Sequence, residues 1–108
     1  MEFVNIVAII RFSVLKRVEE KLRETGAPGV TVSRIRGYGE YADLYKDDWM
    51  VDHIRIDIFA AEVDAERIVT ALMEAAHTGM EGDGVVAVMP VQSLYHIRTR
   101  QQCLREPG

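Results

Sequence analysis

From Phe3 to Ile10 the residues are almost all apolar and rich in Val and Ile, a run that predicts a strand buried on both faces or lying at the centre of a sheet. The period then changes. Val14, Leu15, Val18 and Leu22 recur at helical spacing while Lys16, Arg17, Glu20, Lys21 and Arg23 take the other face, with Ser13 placed to cap the start and Gly26 to stop the helix in the left-handed conformation. Val30, Val32 and the Arg34 to Arg36 region return to strand spacing. A third strand runs from Val51 to Ala60, where Ile54, Ile56 and Ile58 alternate with His53, Arg55, Asp57 and Phe59, so that its opening residues present an apolar face and a polar one. Asp64 is placed to cap a second helix, Ile68, Ala71, Leu72, Ala75 and Ala76 form its buried stripe, and Gly79 is placed to end it. Val85 to Val91 supplies a fourth strand, with Pro90 marking an interrupted ladder or a sheet edge.

Strand, helix, strand, strand, helix, strand is the order of the α+β ferredoxin-like βαββαβ sandwich, an antiparallel sheet covered by both helices on one face. Both helix exits carry similar text, Thr25-Gly26-Ala27-Pro28-Gly29-Val30 and Thr78-Gly79-Met80-Glu81-Gly82-Asp83-Gly84-Val85, so the chain reads as a weak internal repeat. The other sheet face would stay open, and its apolar side chains predict burial by other subunits in a closed cyclic oligomer. The 108 residues fit one domain over 1–108, and no apolar run approaches the roughly 20 residues needed to span a bilayer. The acidic start, Met1-Glu2-Phe3, lacks the basic stretch of a secretory signal, and the chain is read as cytoplasmic. A net charge of -4 argues against a nucleic-acid partner. One cysteine, Cys103, makes neither an internal disulfide nor a structural zinc site; with Leu104 to Gly108 it is either a redox or partner switch or a bystander.

Gly37 to Met50 holds Tyr38, Tyr41, Tyr45 and Trp49 among aspartates without a consistent period, and reads as a long exposed loop whose aromatics either anchor a partner or pack on one another. No catalytic constellation stands out. His53, His77 and His96 fall on three different elements, Ser13 and Ser93 lack a nucleophile-elbow context, and neither a dinucleotide fingerprint nor a phosphate-binding P-loop is present, so an enzyme is disfavoured and no metal is expected. Two glycine-rich corners, Gly37-Tyr38-Gly39 and Gly79 to Gly84, either expose backbone N–H groups to an anion or serve as caps and turns, and Arg98 and Arg100 could add positive charge.

Taken together, Gly26-Ala27-Pro28-Gly29-Val30-Thr31-Val32, Arg36-Gly37-Tyr38-Gly39, Asp43-Leu44-Tyr45, Trp49-Met50-Val51-Asp52, Thr78-Gly79-Met80-Glu81-Gly82-Asp83-Gly84 and Ile97-Arg98-Thr99 resemble the PII signal-transduction family over nearly the whole chain. The resemblance implies a ferredoxin-like homotrimer without catalysis, adenine nucleotides in the clefts between subunits, a T-loop (37–52) that contacts partner proteins, a B-loop (78–85) and a C-terminal segment (96–108). By position, Val30 and Thr31 would border the adenine, Gly37, Tyr38, Gly39, Asp57, Ile58 and Phe59 would line the cleft, Gly82, Asp83 and Gly84 would cradle phosphate, and Arg98 would add charge. Tyr41, Tyr45 and Trp49 would face a partner. Three cationic positions of the family pattern are replaced, by Glu40, Val85 and His96, which predicts ADP or AMP favoured over ATP. The loop is also shorter than the family's and lacks the glutamine after Gly39 that helps hold magnesium and 2-oxoglutarate. These departures point to a divergent regulator of a transporter or metabolic enzyme, with bicarbonate as a co-effector held near His53, Arg55 or Arg98. A structural trimer that has lost its ligand and a nitrogen-regulatory protein sensing 2-oxoglutarate are the competing readings.

Overall fold

The computed structural model describes residues 2–38 and 51–104, so Gly39, Glu40, Tyr41, Tyr45, Trp49 and the tail 105–108 lie outside the described residues. The first apolar run forms β1 (Phe3–Ile10), and its even-numbered side chains Val4, Ile6, Ala8 and Ile10 enter the core. A 3-10 turn, Phe12–Val14, leads into α1 (Leu15–Thr25), followed by β2 (Thr31–Gly37) and β3 (Val51–Ala61). A second 3-10 turn, Glu62–Asp64, opens α2 (Ala65–Ala76), and β4 (Gly84–Val91) completes the set. The strands form one antiparallel sheet in the order β2-β3-β1-β4. Val18 and Leu22 of α1 and Ile68 and Leu72 of α2 pack on Ile6, Ile56 and Ile58, so both helices cover the same face, as in the ferredoxin-like fold. Pro90 sits on β4, an edge strand bonded to β1 alone, where a residue without an N–H is tolerated.

The internal repeat is tighter than the matching helix exits suggest. One offset relates the two 3-10 turns, Phe12 to Glu62, and the first helical residues, Leu15 to Ala65. It also relates Arg17 to Arg67, the third residue of each helix. Arg17 Nε donates to the Ala75 carbonyl at 2.5 Å, and the same side chain reaches the His77 carbonyl at 3.4 Å, closing the end of α2. Arg67 donates to the Thr25 carbonyl and closes the end of α1. Each helix thus covers the unsatisfied carbonyls of the other with a cation, the sign that the helix dipole favours there.

Several local expectations are corrected. Ser13 does not cap α1, because the chain enters through the 3-10 turn and places Ser13 inside it, with Val14 at the cap position and no side-chain bond. Asp64 stands at the cap position of α2 with near-helical backbone and makes no capping bond; its carboxylate lies 3.1 Å from Arg67 instead. Gly79 does not end α2, since extended backbone at His77 (φ -66, ψ 128) stops the helix first, whereas Gly26 does stop α1 at φ 81. Gly37, Val51 and Asp52, assigned to the T-loop, belong to the β2–β3 ladder, where Gly37 pairs with Val51 and Arg36 with Asp52. A short hairpin that periodicity did not reveal follows β4: β5 (Tyr95–His96) and β6 (Gln101–Gln102). Arg100 closes its turn in the left-handed region (φ 58), its N–H bonded to the His96 carbonyl at 2.9 Å. The Cys103 amide donates to the Leu94 carbonyl and its side chain is buried.

The face away from the helices carries Phe3, Asn5, Val7 and Ile9 of β1 and His53, Arg55, Asp57 and Phe59 of β3. Phe59, Val85 and Met89 are at least 40% exposed in the single chain, the open apolar surface that the alternation predicts. His53 departs from the polar-face reading. It is 4% exposed, with Nε2 3.5 Å from the Gly82 carbonyl.

Candidate functional site

The glycine-rich loop between α2 and β4 is organised by one carboxylate. Asp83 accepts from the Thr78 amide at 2.8 Å, the Gly79 amide at 3.0 Å and the Thr78 hydroxyl, and Arg11, the first residue after β1, approaches it with Nε at 3.1 Å. Arg11 also donates to the Glu81 carbonyl, and Met80 donates its amide to the Thr78 hydroxyl. Burial pushes the Asp83 carboxyl up, but the bonds from Thr78, Arg11 and Gly79 outweigh it and hold the group well below the usual carboxylate range. Gly79, Gly82 and Gly84 all adopt positive φ, which lets the chain turn back on itself over six residues. At Gly84 a side chain is impossible on a second ground: a β-carbon would fall inside the Ile9 carbonyl. The amides of Thr78, Gly79 and Met80 are engaged internally, Gly82 is buried and Gly84 already pairs with Ile10 in the sheet, so within one chain the loop does not present the open cradle of amides that its glycines suggested.

Of the predicted residues, Gly37, Tyr38 and His53 lie at this end of the sheet, whereas Val30 and Thr31 stand at the opposite end of β2 and Asp57 and Phe59 farther along β3. Gly37 closes β2 with Tyr38 just after it, and His53, two residues into β3, places Nε2 3.5 Å from the Gly82 carbonyl. Thr31 starts β2 directly opposite Asp57, with Val30 just before it and 40% exposed. Asp57 is held by Arg55 at 3.0 and 3.2 Å and receives a longer bond from Asn5 at 3.5 Å. The Arg55 hydrogen bond lowers the Asp57 pKa below its ordinary value, and the same bond raises that of Arg55. Ile58 points into the core at 0% exposure, so its side chain cannot line a cleft, while Phe59 beside it is exposed on the open face. Val85 leaves the loop as an exposed hydrocarbon.

His96 and Arg98 lie elsewhere. They belong to the hairpin and its turn, beyond the far end of β4, whose eight residues span roughly 25 Å at the usual rise per residue. The hairpin base packs near Glu2, Phe3 and Val91, opposite the glycine loop. One chain therefore does not bring Arg98 to Gly82, and a site using both needs a second copy. The histidines do not form a common site, and no metal-holding group of three or more His, Cys, Asp or Glu occurs among the described residues. Sequence reasoning missed Arg11. The signal present was a cation placed directly after a buried strand, at the end where β4 begins.

Known proteins match this chain over most of its length. The family model described as nitrogen regulatory protein P-II matches residues 3–101. The chain is 36% identical over 105 residues to nitrogen regulatory protein P-II of Azospirillum brasilense, covering 91% of this chain and 94% of that protein. It is 33% identical over 101 residues to nitrogen regulatory protein GlnK2 of Haloferax mediterranei, covering 87% and 82%. Among solved structures, Arabidopsis thaliana PII bound to citrate matches with a TM-score of 0.82 and 31% identity, over 95% of this chain and 90% of that one.

Proposed function

The chain belongs to the nitrogen regulatory protein P-II family, and on that premise we propose that it is a non-enzymatic, cytoplasmic, homotrimeric regulator that binds adenine nucleotides between subunits and signals through the segment linking β2 to β3. The observation that carries this reading is the division of the site along β4. The Asp83-organised loop stands at one end and Arg98 beyond the other, so phosphate amides and hairpin cation meet only across an interface between copies. The open sheet face, with Phe59, Val85 and Met89 exposed, supplies apolar surface for such an interface.

ADP or AMP is favoured over ATP. Val85 offers no charge at the loop exit, and Arg11 spends its bonds on the loop itself, on Asp83 and the Glu81 carbonyl. The target is a transporter or metabolic enzyme, engaged through Tyr41, Tyr45 or Trp49, with nucleotide occupancy favouring one state of the loop stem, since equal affinity for two states would shift nothing. Bicarbonate is the proposed co-effector. Arg55 already carries the Asp57 carboxylate and His53 is buried against Gly82, so Arg98 of a neighbouring copy and the backbone at Gly37 and Tyr38 are its better donors. A second reading, nitrogen regulation through a carboxylate effector such as 2-oxoglutarate, draws support from the names of the relatives and from the citrate bound by the Arabidopsis protein.

Calorimetric titration of the purified chain with AMP, ADP and ATP, each repeated with bicarbonate and with 2-oxoglutarate at fixed pH and magnesium, separates these readings. Micromolar ADP or AMP binding strengthened by bicarbonate is the expected result. Tighter binding of ATP overturns the stated preference, an effect of 2-oxoglutarate alone selects the nitrogen reading, and no binding of any nucleotide leaves a structural trimer.

A further inference from the structure

On the helix side of the sheet, at the end where β2 and β3 meet, lies a hollow of about 490 Å³ lined by Phe12, Arg34, Arg36, Asp52 and Ile54. Arg34 pairs with Ile54, a core residue, and this places it on the opposite face from Thr31, His53 and Asp57. Its guanidinium carbon stands 5.1 Å from the centre of the Phe12 ring, and Phe12 is 57% exposed. Among the described residues no carboxylate lies within ion-pair distance of Arg34. Arg36, two positions along the same strand face, has Asp52 at 3.5 Å, but both side chains are more than half exposed, so water screens that pair and an incoming anion can compete with it.

We propose that this hollow is a binding site for a small molecule carrying two anionic groups, carboxylates or phosphates, held by Arg34 and Arg36 on the platform of Phe12. The charges fit. In a chain of net charge -4, the charged side chains lining the hollow among the described residues are two arginines and one aspartate, with His53 beside them, a local excess of positive charge. The spacing fits as well, because residues two apart on a strand face stand roughly 7 Å from one another, within reach of the two ends of a short dianion. The volume falls in the range of small-molecule sites, and a guanidinium resting on an aromatic face presents its N–H groups for paired bonds to a carboxylate or phosphate. The site adjoins the last paired residues before the 39–50 segment, Arg36 with Asp52 and Gly37 with Val51, so an anion that draws Arg36 from Asp52 acts on the stem of that segment. Anion binding here does not depend on nucleotide binding on the opposite face.

The test titrates the full chain, at constant ionic strength and without nucleotide, with succinate and with inorganic pyrophosphate. Saturable binding of one probe per chain is expected, weakened about tenfold or more by Arg34→Gln and also by Arg36→Gln, and unchanged by the charge-matched surface substitution Lys21→Gln. A preference for succinate identifies a dicarboxylate ligand, and a preference for pyrophosphate a phosphate one. Saturation by neither probe overturns the proposal, as does equal weakening by Arg34→Gln and Lys21→Gln. Pyrophosphate binding that survives Arg34→Gln but is lost in Arg98→Gln also overturns it, by moving the anion to the nucleotide cleft. ADP titrated into Arg34→Gln reads the nucleotide site separately: unchanged ADP affinity with lost anion binding supports two independent sites.

Discussion

Two amides, a hydroxyl and the Arg11 guanidinium converge on the Asp83 carboxylate, while its side chain remains 24% exposed. Its depressed pKa makes stability depend on pH with a defined sign. The folded state binds fewer protons than the unfolded chain below the unfolded value of roughly 3.9, so the contribution is fully present above that pH and is lost as pH falls toward the depressed value. Asp57, lowered by Arg55, acts in the same direction, whereas Glu62, raised by its neighbour Glu2, acts in the opposite one. Asp83→Asn should lower stability at neutral pH by about 1–3 kcal/mol and flatten the acid limb of urea unfolding between about pH 4 and pH 2. An unchanged acid limb would mean that Asp83 is not the group that senses acid. The glycines around it were legible as turn formers. That Asp83 would take up the amides of 78 and 79 was not, because the partner that completes the hub, Arg11, is 72 positions away in the chain.

At the scale of elements, the two halves of the chain repeat a device as well as a pattern. Arg17 and Arg67 hold equivalent helical positions and each closes the carbonyl end of the other helix. Removing either by substitution to Ala should cost about 1 kcal/mol, since the Arg67 cap is exposed and the Arg17 cap part-buried, and each combines a charged hydrogen bond with a helix-dipole contact. The two caps stand at opposite ends of the helix pair, roughly 15 Å apart, so the double substitution should add to within about 0.5 kcal/mol in chemical denaturation. Strong non-additivity would show instead that the helices dock as one coupled unit. The stripes of both helices and the apolar side of β3 were readable from period alone, and every residue of the α2 stripe is buried as expected. The starts of the helices were misread because Ser13 and Asp64 have the composition of caps while the backbone there turns as a 3-10 helix, a choice made by how the preceding strand delivers the chain to the core.

For the whole molecule, the decisive feature is the separation of the glycine loop from the hairpin by the length of β4. If nucleotide sites are shared between copies, two defective chains should complement one another. Gly82→Ala disables the loop, Arg98→Gln disables the hairpin, and each alone should bind ADP poorly as a homotrimer. Co-refolded in equal amounts, they should recover about a quarter of the sites, because one chain's intact loop then meets the other's intact hairpin at a head-to-tail interface. No recovery would place both groups in the same chain's site and sink the shared-cleft arrangement. No helix among the described residues is long and apolar enough to cross a membrane.

Strand or helix, and which face of each is apolar, was determined by the sequence itself, because side-chain direction follows backbone period within a few residues. The order of elements then left the ferredoxin-like sandwich as the arrangement that buries both helical stripes against one sheet face. Tertiary structure alone decided the rest. His53, nominally on the polar face of β3, is buried, and its ring meets the carbonyl of Gly82, 29 positions away. The Arg11–Asp83 clasp, the crossed arginine caps and the hollow beneath Arg34 each join residues that no local spacing relates. Such contacts are set by strand register and by the packing of helices on the sheet, and these exist only once the chain has closed on itself.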